Sequence, residues 1–334
     1  MSRARLARRT IGAWRIARRE PPAGVRIAVD RLPAPDSLRL HAALAEALER
    51  VRPPGAQVVI RRRGNLLWSA CAGRVNREQP VAPEDRFVLA SATKLATACL
   101  VALLAERGAL HLDDPVGNWL PQLPRAGRLT PRLLLAHRSG LREYTKDRAL
   151  ARLMNGGAPD HRWSRDELLA AIARLGPERE PGERFAYRNS NYVVAAELAE
   201  RAAGRDFESL LAELIARPLG LSGFSFARTS SGSRLATPHL ALLRRPVDLL
   251  AVTGGLIPND ALGRKRGYGL GVMTSPLPGA VHAGHDGMYY GWTASTGIDD
   301  ATATTVAVVA NLAGASVPAA RLAKAVRAAL PLRA

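Results

Sequence analysis

Phe87-Val-Leu-Ala-Ser-Ala-Thr-Lys-Leu-Ala-Thr-Ala-Cys-Leu-Val-Ala-Leu-Leu-Ala-Glu-Arg-Gly108 opens with four apolar residues and then sets Ser91 and Lys94 three positions apart. Beyond Lys94, apolar residues recur at Leu95, Cys99, Leu100, Leu103 and Leu104, and Gly108 follows the last turn. A period near 3.6 with a glycine stop predicts a largely buried helix. Positions i and i+3 share a helix face, so the Ser91 hydroxyl and the Lys94 amine can meet. At a helix start, unpaired backbone N–H groups and the macrodipole favour developing negative charge. A nucleophile beside a base in that field has a chemical use. A serine is equally a common N-cap and a helix-start lysine is commonly solvated. The pair therefore gains meaning from what accompanies it.

Composition narrows the company. The 334 residues suffice for one large core or two domains, and 47% are hydrophobic, as in ordinary globular proteins. No apolar run reaches the ~18 residues that span a bilayer. Two cysteines, Cys71 and Cys99, give neither a disulfide framework nor a metal spacing, and both read as small core hydrophobes. No metal and no cofactor is expected. The net charge is +19, yet Lys94, Lys146, Lys265 and Lys324 are the whole lysine complement, so the excess is arginine. It is spread along the chain without a zinc-finger, RNP or basic-zipper pattern, which argues against specific nucleic-acid binding. Residues 1–30 read as a basic, disordered or loosely helical arm, with Arg3, Arg5, Arg8, Arg9, Arg15, Arg18, Arg19 and Arg26. Leu6, Ile11 and Trp14 give that arm weak affinity for membranes or polyanions. No apolar core of a secretory signal follows these arginines, so a cytoplasmic location is expected unless the start codon is misassigned.

Along the rest of the chain, residues 36–52 read as an amphipathic helix whose apolar set is Leu38, Leu40, Leu44, Leu48 and Val51. Strands at 56–62 and 66–73 flank Arg63-Gly64-Asn65 as a hairpin. Thr130-Pro131 opens a short helix through His137. Residues 154–161 read as a loop, and Ser164 to Glu167 is a capping box for a helix that stops at Gly176-Pro177. Helices follow at 191–203 and 206–216. The last third turns to strands at 268–274, 293–298 and 304–311, before a final helix at 318–330. Gly267, Gly269 and Gly271 lack the continuation of a dinucleotide loop and read as alternate glycines on one strand face. Strands at both ends with helices between predict an α/β (α+β) domain at 31–334. Its sheet subdomain takes 31–90 and 262–334, and a mainly helical subdomain takes 91–261.

Two further signals join Ser91 and Lys94. Phe185-Ala-Tyr-Arg-Asn-Ser-Asn-Tyr192 follows Pro181-Gly182 and puts Tyr187 and Asn189 two apart on a constrained loop. Ala283-Gly-His-Asp-Gly-Met288 places His285 and Gly287 ahead of a strand. Separately, Tyr187 reads as a hydrogen-bonded core aromatic, Asn189 as a helix cap and His285 as a turn histidine.

With S-x-x-K at 91–94, Y-x-N at 187–189 and H-x-G at 285–287 in this order, the chain resembles the serine β-lactamase and penicillin-binding family. The likeness is to the branch of class C β-lactamases, D-alanyl-D-alanine carboxypeptidases and family VIII esterases. Pro80 to Phe87, Leu112-Asp-Asp-Pro-Val116, Leu134 to Leu141, Pro218-Leu-Gly-Leu221 and Tyr268-Gly-Leu-Gly271 extend the resemblance from about residue 36 to the end. It implies an antiparallel sheet flanked by helices, an inserted helical domain and a site in the cleft between them. It also implies an oxyanion hole made by the backbone N–H groups of Ser91 and Met288, and a substrate-orienting role for Asn189.

In that chemistry Ser91 attacks an ester or amide carbonyl and is acylated, and water releases the acyl group. Two bases compete for the serine proton. Deprotonating an ordinary lysine at pH 7 costs about 4.6 kcal/mol, which burial can offset, so neutral Lys94 can serve. Alternatively Lys94 stays charged and holds Tyr187 as a phenolate. The third motif carries His285 where many relatives carry lysine, and a mostly neutral histidine is a poor partner for a substrate carboxylate. Met288-Tyr-Tyr-Gly-Trp292 adds apolar, aromatic bulk. These departures favour an esterase on small ester or amide substrates. The alternatives are a β-lactamase or D-alanyl-D-alanine carboxypeptidase, and, from another class, a non-catalytic binding or scaffold member of the fold. The oligomeric state is not legible.

Overall fold

The computed structural model describes residues 24–75, 79–150, 164–221, 224, 257–258, 267–277, 280–289, 292–312 and 317–330. The expected loop at 154–161 and the arm up to residue 23 lie outside these. The described residues fall into two compact units. One comprises those of Ala96–Ile215 and Leu249–Gly271, and the other those of Thr10–Leu95, Ala216–Asp248 and Val272–Ala334.

The second unit is built on an antiparallel sheet. Its strands are β1 (Arg26–Asp30), β2 (Gly55–Arg62), β3 (Asn65–Gly73), β6 (Met273–Leu277), β7 (Ala280–Tyr289), β8 (Trp292–Asp299) and β9 (Thr304–Ala310). They lie in the order β1-β3-β2-β9-β8-β7-β6, so the two ends of the chain meet where β2 pairs with β9. The hairpin β2–β3 turns at Arg63 and Gly64, both at positive φ. Residues 26–30, expected as the end of the arm, form the edge strand β1, because their backbone pairs with β3 from Arg26↔Cys71 to Asp30↔Trp68.

Period-2 alternation sends β9 into two cores. Val306, Val308 and Ala310 pack with Leu40, Leu44, Ile60 and Trp68 under α1 (Ala34–Val51) and with Leu322 and Val326 of a C-terminal helix at Pro318–Ala329. Val309 instead joins Cys71, Val81, Phe87, Ala92 and Ala294 on the opposite face, the face that carries the Ser91 turn. In α1 the buried stripe is Leu40, Leu44, Ala47 and Leu48, whereas Leu38 is 70% exposed, being about 200° around the helix from Leu40.

The other unit is helical. It holds most of α2 (Lys94–Glu106), then α3 (Pro131–Leu135), α4 (Arg165–Leu175), α5 (Asn189–Ala203) and α6 (Phe207–Leu211). Thr130 caps α3 by accepting from Leu133 N, with Pro131 in the first turn. Ser164 and Glu167 form the reciprocal capping box of α4. Asp206 caps α6, which passes into a π turn at Ala212–Ala216.

One expected strand and one expected turn change on folding. Residues 268–274 are not one strand but β5 (Gly267–Tyr268) and β6, because Gly271 takes φ 76° and donates its N–H to Leu135 O at 3.2 Å instead of continuing a ladder. β5 pairs with β4 (Ile257–Pro258). The glycine-punctuated run 283–288, expected ahead of a strand, lies inside β7. Its glycines mark close backbone approach: a Cβ at Gly284 would collide with Thr296 O and Gly297 Cα. Both cysteines sit in apolar surroundings, where burial pushes the Cys71 thiol up to about 11 and the Cys99 thiol up to about 12.

Among the described residues, no helix is long and apolar enough to cross a membrane. No group of three or more His, Cys, Asp or Glu there is arranged to hold a metal ion.

Candidate active site

Ser91 does not occupy the first turn of the α-helix, as its spacing suggests. It sits in a preceding 3₁₀ turn, Ala90–Thr93, which runs directly into α2 at Lys94. The turn is set by Ala90, a non-glycine residue at φ 49°, and is closed by Ala92 N donating to Leu89 O at 3.1 Å. Thr93 Oγ1 donates to Ala90 O at 2.6 Å. Ala92 tucks beneath the turn into the core with Phe87, whose ring meets Trp292 edge-on at 5.5 Å.

This arrangement leaves Ser91 half-buried and brings Lys94 back under it. Lys94 Nζ donates to Ser91 Oγ at 3.0 Å, and Lys94 is 6% exposed. A buried amine needs such a polar partner, since a polar group left unpaired in the interior is costly.

Strand β7 backs the turn. At Gly287 a Cβ would collide with Leu89 O and come within 3.0 Å of Ala92 N, so the strand lies directly against the residues flanking Ser91. His285, two residues earlier, is 2% exposed. Its Nδ1–H donates to Asp286 O at 2.5 Å, which makes Nε2 the acceptor nitrogen of a neutral ring. Burial first, and then the positive charge of Lys94, push the His285 pKa down to about 3. Met288 follows with its side chain 49% exposed, its backbone paired opposite Thr293. Of the apolar, aromatic run at 288–292, Tyr290, Gly291 and the Tyr289 side chain lie outside the described set. Trp292 is half-buried against Phe87.

Tyr187 and Asn189 belong to the helical unit. Asn189 is not the cap but the first residue of α5, with Arg188 as N-cap. Its N–H donates to Glu143 Oε2 at 2.7 Å and its amide Nδ2 to the same oxygen at 3.4 Å. A carboxylate at this helix start complements the macrodipole. Glu143 was not singled out in the sequence, where it has no motif of its own. Arg188 is tied to Glu178 at 2.7 Å, an interaction that lowers the Glu178 pKa. Tyr187 is half-buried, with its ring centroid 4.3 Å from that of His137.

The site residues thus fall into two sets. Ser91, Lys94, His285 and Gly287 are brought together in the sheet unit, and Tyr187 and Asn189 in the helical unit with His137 and Glu143.

Comparison with known proteins places this architecture. The Beta-lactamase family profile matches residues 40–254. The chain is 31% identical over 267 residues to esterase EstB of Burkholderia gladioli, covering 75% of this chain and 66% of that protein. It superposes on a D-stereospecific amidohydrolase from Streptomyces sp. with TM-score 0.66 and 26% identity, covering 81% of this chain and 94% of that one. The octameric penicillin-binding protein homologue from Pyrococcus abyssi shares the fold, with TM-score 0.72 at 23% identity over 88% of this chain and 77% of that one. The chain spans about half to two thirds of the length of the curated relatives it matches first. It belongs to the beta-lactamase family, a serine-hydrolase family whose members similar to this chain include an esterase, penicillin-binding proteins and amidases. Its fold is the β-lactamase/transpeptidase-like one.

Proposed function

We propose that this protein is an esterase-type serine hydrolase that cleaves small ester or amide substrates through an acyl-enzyme on Ser91. The observation that carries the reading is the 3.0 Å bond between the buried Lys94 amine and the Ser91 hydroxyl. Ser91 Oγ attacks the substrate carbonyl carbon while its proton passes to a base, and the bond to the leaving group breaks with return of that proton. Water then attacks the acyl carbon and releases the acid. Lys94 and Tyr187 are the two candidate bases, the second carried over from the family's Y-x-N motif. Backbone N–H groups of Ser91 and Met288 are the proposed oxyanion donors, a function worth about 3–4 kcal/mol per donor elsewhere.

His285 supports the esterase reading over the β-lactamase or carboxypeptidase one. Held neutral by burial, it offers no cation for a substrate carboxylate. The likeness to EstB points the same way. The test is a panel of p-nitrophenyl butyrate, a chromogenic cephalosporin and a D-Ala-D-Ala peptide. Turnover of the ester at least ~10-fold above the other two in kcat/KM is expected. A preference for the cephalosporin or the peptide contradicts the esterase assignment.

A further inference from the structure

His137 stands at the centre of the helical unit, 1% exposed, at the unusual φ of 55° for a histidine. It bonds to both residues flanking Tyr187. Its carbonyl accepts from Ala186 N at 2.8 Å, and its Nδ1 accepts from Arg188 N at 3.3 Å. Its ring lies against the Tyr187 ring, centroids 4.3 Å apart at 39°.

The ring's Nδ1 side is held within a buried polar chain. Ser139 Oγ donates to Asn191 Oδ1, which turns the Asn191 amide so that Nδ2 donates to His137 Nδ1 at 2.9 Å. With Nδ1 accepting twice, the proton of the neutral ring sits on Nε2, which donates to Tyr268 Oη at 3.1 Å. Tyr268 donates onward to Tyr192, and Tyr192 donates to Leu135 O at 2.9 Å. Ser139, Asn191, Tyr192 and Tyr268 are all buried. Such a satisfied network holds one arrangement against its alternatives. The left-handed backbone at His137 also fits, since strained φ values persist where surroundings over-determine them.

We infer that His137 is a positioning residue that sets the place of the Tyr187 hydroxyl by gripping the backbone on both sides of it and bracing its ring. The inference rests on the proposed role of Tyr187 in the hydrolase, and it assigns His137 no contact with substrate. A misplacement of about 1 Å in a reacting group can cost about 10²-fold.

The test compares His137→Gln, which moves the polar group out to the Nε2 position, with His137→Asn. Asparagine keeps an acceptor near Nδ1 and tolerates left-handed backbone. In the folded His137→Gln protein, kcat for p-nitrophenyl butyrate is expected to fall about 10²-fold with KM within ~3-fold, while His137→Asn stays within ~10-fold of wild type. Placement is read separately by ¹⁹F NMR of protein carrying 3-fluorotyrosine, with the Tyr187 signal assigned by its loss in Tyr187→Phe. That signal should shift in His137→Gln and stay near its wild-type position in His137→Asn. An unchanged signal and kcat in His137→Gln, or equal losses in the two variants, overturns the inference. Should His137→Gln fail to fold, Tyr268→Phe decides. It leaves both Nδ1 bonds intact, so kcat within ~5-fold and an unmoved signal are expected, and a ~10²-fold loss overturns the Nδ1 grip. If wild-type protein turns over neither the ester, the cephalosporin nor the peptide, the hydrolase reading falls, and the ¹⁹F comparison alone decides the positioning.

Discussion

Lys94 donates to the Ser91 hydroxyl across 3.0 Å from a side chain that is almost wholly buried. In the proposed mechanism a lysine in that position would serve two ends, stabilising charge near the serine oxygen and exchanging its proton. Lys94→Met keeps the length and apolar stem but removes both. It is expected to lower kcat at least ~10²-fold, the scale of proton-transfer catalysis, while leaving circular dichroism unchanged. Stopped-flow and steady-state rates on p-nitrophenyl butyrate check this, and a loss under 10-fold assigns the base elsewhere.

Gly287 lets strand β7 pass against the turn that carries Ser91. Gly287→Ala drives a methyl group into Leu89 O and to 3.0 Å from Ala92 N, both backbone atoms that cannot swing aside. The turn must shift, and activity is expected to fall by about 10²-fold from misplacement alone. Ser91 labelling by a fluorophosphonate, timed against wild type, measures the same displacement without relying on a chosen substrate.

His285 makes stability depend on pH. In the folded protein it stays neutral down to about pH 3, against 6.5 for an ordinary histidine. Between these values the unfolded chain binds the extra proton. Stability therefore rises with pH across this window and is lost as pH falls through it, with a slope of up to ~1.4 kcal/mol per pH unit from this residue. Urea midpoints at intervals from pH 4 to 7 should show a steeper rise for wild type than for His285→Asn. Parallel curves contradict the neutral buried state.

Ser164, which is none of the candidate site residues, offers a control. Ser164→Ala removes the acceptor of the α4 capping box and is expected to cost about 1 kcal/mol, read as a lower melting temperature, with kcat/KM unchanged.

Much of this was legible because it is local. The apolar period after Lys94, the Thr130-Pro131 start and the Ser164 capping box each specify their element through neighbours a turn away, and the helices start where those signals place them, although the short one ends at Leu135 and not at His137, whose φ is 55°. Of the apolar set expected for α1, Leu40, Leu44 and Leu48 at four-residue spacing mark the buried face, while Leu38 lies off it. What escaped depends on partners distant in sequence. Gly284 and Gly287 look like turn residues until Thr296 and Leu89 approach their backbones, so His285 reads as a turn histidine although it lies in mid-strand. Gly271 breaks a run that otherwise alternates like a strand, because its N–H finds Leu135. Glu143 and His137 acquire their meaning from residues about 46 to 131 positions away. The family motifs mark Tyr187 and Asn189, but nothing in their order says what holds them.

The most direct test of the account is the mass of the protein quenched during turnover of p-nitrophenyl butyrate, followed by peptide mapping. The account predicts a single added butyryl group, located on Ser91 and lost with time, and no adduct in Ser91→Ala. Turnover with no adduct on Ser91, or an adduct that persists in Ser91→Ala, contradicts it.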